Sequence, residues 1–103
     1  MNTENTDSCL EFGNIRIYPA KRAVYVDSVE VALTRMEFDV LCFLTSNPDI
    51  AFTRDQIYEA VSKDEYTDGS YTIRDIIYRL RAKLGIPYIH TLHGYGYKFS
   101  TES

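Results

Sequence analysis

Cysteine is scarce in this chain and long apolar runs are missing. Cys9 sits in a polar stretch and Cys42 in an apolar one, so two thiols rather than a disulfide framework are expected. No apolar run approaches the roughly 18 residues that a membrane-spanning helix needs, and nothing near the start joins a basic run to an apolar leader core. No membrane partner is implied, and the expected location is cytoplasmic. Metal ligands are equally thin. His90 and His93 have no cysteine or carboxylate at ligand spacing. Asp64, Asp68, Gly69 and Asp75 fall at calcium-loop spacing, but Tyr66 takes a ligand position and the last ligand is a short Asp instead of Glu. Gly94-x-Gly96 lies between two β-type runs, not between a strand and a helix, and no nucleophile, base and orienting group converge. An enzyme, a cofactor and a metal site are therefore not expected.

Positive charge is short too, but unevenly so. The 103 residues carry 11 basic and 15 acidic side chains, a net of -4. Residues 1–69 hold 6 basic and 13 acidic residues, a net of -7, whereas residues 70–103 hold 5 and 2, a net of +3. The stretch SYTIRDIIYRLRAKLG, residues 70–85, alone carries Arg74, Arg79, Arg81 and Lys83 against Asp75. An acidic chain has gathered its cations on one C-terminal segment.

The length suits a single domain with a modest core, expected over residues 10–100 between a disordered tail at 1–9 and a short tail at 101–103. IRIY (15–18), AVYV (23–26) and VEVAL (29–33) read as short strands, the last two joined by an Asp27-Ser28 hairpin turn. Thr34 and Glu37 form a capping box with Leu33 and Phe38 as its hydrophobic staple, so a helix starts at Arg35 and stops at Asn47-Pro48. Thr53 and Gln56 repeat the box, with Phe52 and Ile57 as staple, and start a short second helix at Arg54. After a turn-rich loop, Ile73, Ile77, Leu80 and Leu84, with Ile76 beside them, make the apolar stripe of a third helix that Gly85 and Pro87 end. Tyr71, Arg74, Asp75, Tyr78 and Arg79 stand on its other side, and Arg81 and Lys83 flank the stripe. YIHTLHGYGYKFS closes the chain as a hairpin around His93-Gly94-Tyr95-Gly96.

Sheet, three helices and a hairpin make an α+β winged helix-turn-helix: an N-terminal antiparallel sheet, three helices and a C-terminal β hairpin wing. A helix fits the major groove of DNA, guanidinium groups pair with guanine edges or phosphates, and a hairpin can lie along the adjacent backbone. Double-stranded DNA is the expected partner and transcriptional regulation the expected role. Arg79, with Arg74 and Tyr78, lies toward the groove floor, while Arg81 and Lys83 leave from the flank toward phosphates. Tyr95 at the hairpin tip can stack on sugar, and Lys98 adds charge to the wing.

Four stretches resemble the C-terminal effector domain of OmpR/PhoB-type response regulators of two-component systems: VEVALTRMEFDVLCFL, NPDIAFTRDQIYEAV, TIRDIIYRLRAKLG and YIHTLHGYGYKF. The resemblance implies base contacts by Arg79, phosphate contacts by Thr72 and Arg81, and wing contacts by Thr91 and His93. It also implies RNA polymerase as a partner of the 62–68 loop, and tandem head-to-tail copies on DNA. The family's receiver domain is absent, which fits either an effector domain of a longer parent or a free-standing regulator. Arg74, Asp75 and Ile76 depart from the family's usual helix-three residues, His93 from its wing Arg, and Ser28 from a common Gly. Asp75 repels phosphate and Ile76 cannot donate to one, which leaves an alternative: a winged-helix protein-interaction or dimerisation module with weak or no DNA binding.

Overall fold

The computed structural model describes residues 8–62 and 72–102. Most of the 62–68 loop, Asp64, Asp68 and Gly69 of the calcium-like spacing, and Tyr71 lie outside the described residues, as do residues 1–7 of the expected N-terminal tail and Ser103. The chain forms two compact units that divide between Ala32 and Leu33.

The first unit is an antiparallel meander of four strands in sequence order, β1 (Leu10–Phe12), β2 (Ile15–Tyr18), β3 (Ala23–Val26) and β4 (Val29–Glu30). Alternation along β2 buries Ile15 and Ile17 and exposes Arg16, as a strand with one covered face must. The Asp27-Ser28 turn places both residues at positive φ, 55° and 69°, the geometry that suits a two-residue hairpin to the twist of its strands. The Asn14 side-chain amide donates to the Asp27 carboxylate at 3.1 Å and helps hold it. Strand β1 leaves no signature in the sequence, because three residues are too few to show a period. β4 is two residues long, shorter than the VEVAL run.

The second unit contains α1 (Arg35–Thr45), β5 (Ala51–Thr53), α2 (Arg54–Val61), α3 (Ile73–Leu84), β6 (Ile89–Leu92) and β7 (Gly96–Phe99). Both capping boxes are formed. Thr34 N donates to Glu37 Oε1 at 2.9 Å and Glu37 N to Thr34 Oγ1 at 3.2 Å, and Thr53 with Gln56 makes the same pair of bonds at 2.8 and 3.1 Å. Phe38, Leu41 and Leu44 of α1 and Ile57 of α2 are buried in the core, as is the whole apolar stripe of α3. The closing hairpin is part of a larger sheet than its sequence shows. β5 pairs with β7, giving the order β5-β7-β6 with Phe52 opposite Tyr97 and Thr53 opposite Gly96. β6 is thereby an edge strand.

Candidate nucleic-acid interface

Helix α3 is fixed at both ends by its own residues. Thr72 is its N-cap, with Oγ1 accepting from Asp75 N at 3.1 Å, and Gly85 closes it in the left-handed region at φ 63°, donating to Arg81 O at 2.9 Å. Ile73, Ile76, Ile77, Leu80 and Leu84 are buried, so the helix docks on the stripe that spacing picks out. Arg74, Asp75, Tyr78 and Arg79 are exposed on the opposite side, Tyr78 to 73%. Ile76 belongs to the core at 1% exposure, so its departure from the family pattern concerns packing, not an outward contact.

The wing turns at Gly94, where φ is 77° and Tyr95 N donates to Leu92 O at 2.8 Å. Gly96 has no positive φ; its need for hydrogen in place of a side chain lies elsewhere, in its approach to β5. Tyr95 is half exposed at the tip. Between α3 and the wing runs an open groove of about 570 Å³, bounded by Arg74, Tyr78 and Arg81 on one side and Thr91, His93 and Tyr95 on the other. Six of the residues singled out from sequence are thus brought to one concavity. Arg54, the first residue of α2, joins them. Sequence reasoning passed over Arg54, although a cation at a helix start opposes the helix dipole and so asks for another reason to be there.

Other candidates are placed differently. Lys98 pairs in register with His90 on the face of the sheet opposite Tyr97, and both line a second concavity with Asp49 and Glu102. Arg79 and Thr72 are exposed but do not line the groove. Lys83 turns toward α1, where Nζ lies 2.7 Å from Glu37 Oε1. Burial works to raise the Glu37 carboxyl, and the hydrogen bonds from Lys83 and from Thr34 N outweigh it and hold the group below its ordinary value. Arg81 also works within the fold: Nε and Nη2 donate to Ile89 O at 3.2 and 2.7 Å, and Nη2 to Thr91 Oγ1 at 2.8 Å.

The chain matches the family described as "Transcriptional regulatory protein, C terminal" over residues 28–99. It is 38% identical over 92 residues to the transcriptional regulatory protein VxrB of Vibrio cholerae, covering 89% of this chain and 38% of that one. In fold it is similar to the RstA DNA-binding domain of Klebsiella pneumoniae, solved in complex with the RstA box: TM-score 0.77, 28% identity, 89% of this chain and 96% of that one. The C-terminal effector domain of BfmR from Acinetobacter baumannii superposes with a TM-score of 0.79 at 30% identity, over 98% of this chain and 96% of that one. The chain spans about two fifths of the length of the curated relatives it matches.

Proposed function

This chain belongs to the family of C-terminal domains of transcriptional regulatory proteins, the winged helix-turn-helix effectors of OmpR/PhoB type, and from that premise we propose that it binds double-stranded DNA sequence-specifically to regulate transcription. The observation that carries this is the groove between α3 and the wing, where Arg54, Arg74 and Arg81 meet two exposed tyrosines. A helix with one buried stripe and a cationic outer side fits a major groove about 12 Å wide, and the hairpin beside it reaches the adjoining backbone.

Arg79 reads a base edge in the major groove of the DNA, with Arg74 and Tyr78 beside it on the outer side of α3. Thr72 Oγ1 accepts from Asp75 N and keeps its own proton for a phosphate oxygen, and Arg81 offers Nη1 to another. Thr91, His93 and Tyr95 meet backbone and minor groove from the wing, while Lys98 stands on the other face of the sheet. Lys83, whose charge Glu37 already neutralises, adds little to this surface. RNA polymerase at the 62–68 loop and a receiver domain in a longer parent are the further partners proposed. The rival reading as a protein-interaction module loses one of its supports, because Ile76 is a core residue.

Selection from a randomised duplex library at about 50 and 200 mM salt tests the reading: a retained sequence and a falling affinity with salt are expected. No enrichment and no salt slope would overturn it. Arg79→Ala should cost about 1–3 kcal/mol on the selected duplex and little on a scrambled one. Equal losses on both would remove Arg79 from base reading and leave Arg74 or Tyr78 in its place.

A further inference from the structure

Antiparallel pairing alternates residues whose backbone groups face the partner strand with residues whose groups face away. Tyr88 O accepts from Ser100 N at 2.9 Å, so the next residue, Ile89, turns its carbonyl toward the outer side of β6. Among the described residues no strand covers that side, because β6 is the edge of the β5-β7-β6 sheet. The Ile89 carbonyl is met instead by Arg81 from α3, through both Nε and Nη2. Nη2 also reaches Thr91 Oγ1, two residues along the same strand, and the guanidinium carbon lies 6.0 Å from the centre of the Tyr97 ring on β7. One planar cation therefore touches both wing strands and fills the hydrogen-bonding place of a missing neighbour.

We propose that Arg81 is a positioning residue, whose guanidinium pins the outer edge of the wing to α3 and so sets the angle at which helix and wing meet a single duplex. The inference rests on the DNA-binding reading and assigns Arg81 a role beyond a phosphate contact. The geometry demands the forked head: two donors of one plane converge on one carbonyl while one of them continues to a hydroxyl, which a lysine ammonium on a flexible stem does not reproduce. A phosphate, by contrast, accepts a lysine charge readily.

Arg81→Lys separates the two roles. Affinity is measured on a duplex just covering the α3 site and on duplexes lengthened by about five base pairs at one end or the other, so that one extension meets the wing. The wild type should gain about tenfold from that extension, and the lysine variant less than about threefold, because its wing is no longer held over the added backbone. A loss of folded protein lowers both affinities equally and leaves their ratio unchanged, so a merely structural defect does not imitate this result. Hydrogen exchange on the free protein supplies a second reading: amides of residues 89–99 should exchange at least about tenfold faster in the variant, while those of α1 and α2 keep their protection. An unchanged extension ratio, or wing amides as protected as in the wild type, overturns the proposal. If the wild type binds none of the duplexes, the DNA reading fails and the exchange rates alone decide whether Arg81 pins the wing.

Discussion

Replacing Gly96 by alanine should destabilise the second unit by about 3–5 kcal/mol and abolish ordered attachment of the wing, the largest effect expected from adding so little. A Cβ at this position would run into the Phe52 carbonyl oxygen and lie 2.8 Å from both Phe52 C and Thr53 Cα. All of these are backbone atoms of β5 or its end, so no side chain can swing away to make room. Relief requires β7 to separate from β5, where Gly96 stands opposite Thr53. Thr53 is also the N-cap of α2, with its Oγ1 accepting from Gln56 N, so the displacement reaches the first turn that carries Arg54. Thermal unfolding followed by circular dichroism should show the midpoint falling by about 15 °C or more. Gly94→Ala is the control. Its site is open, and only its φ of 77° opposes a side chain, so it should cost about 1 kcal/mol. Equal behaviour of the two variants would show that the close approach of β7 to β5 does not need a glycine.

The contrast between these two glycines shows what was legible in the sequence. Gly94 belongs to a local turn, and its spacing within HGYG announces one. Gly96 answers to Phe52, a residue 44 positions away, and no local pattern reports that approach. The same division runs through the molecule. Capping boxes and the Gly85 terminus depend on bonds between residues three or four apart, and the α3 stripe on side chains at the same spacing, so all are readable locally. β5 escaped because three residues flanked by a loop and a helix cap acquire strand identity only from β7. The sequence points Arg81 and Lys83 from the helix flank toward phosphates, since an outward lean says nothing about the carbonyl or carboxylate that happens to be waiting there. Arg54 came to the groove by the same tertiary route. The family resemblance named the fold through patterns that are local, and those patterns were the part of the structure with least left to discover.

Lys83→Met should cost about 2–3 kcal/mol of stability, although it changes one partly exposed side chain late in the chain. The cost arises at Glu37, 46 residues earlier, which is 1% exposed and carries its charge into the core between the start of α1 and the end of α3. Its Oε1 accepts from Lys83 Nζ and Thr34 N, while Oε2 has no hydrogen-bond partner among the described residues. Removing the ammonium leaves a buried carboxylate with one amide bond. The Lys83 side chain is 38% exposed, so solvent already screens part of the attraction, and the loss falls below that of a fully buried pair. Adding Glu37→Gln to the methionine variant should recover about half of it, because glutamine keeps the capping-box acceptor and brings no charge to desolvate. Acid titration checks the same pair independently. The Glu37 carboxyl titrates lower in the folded chain than in the unfolded one, so its contribution is complete above the ordinary carboxylate value of about 4.3 and is lost as pH falls through the lower folded value. Unfolding free energies measured in urea between about pH 7 and pH 3 should therefore drop more steeply for the wild type than for Glu37→Gln. If Lys83→Met stays within about 0.5 kcal/mol of the wild type and the two acid profiles are parallel, the ion pair does not hold α3 to α1, and the outward side of α3 is set by its isoleucines and leucines alone.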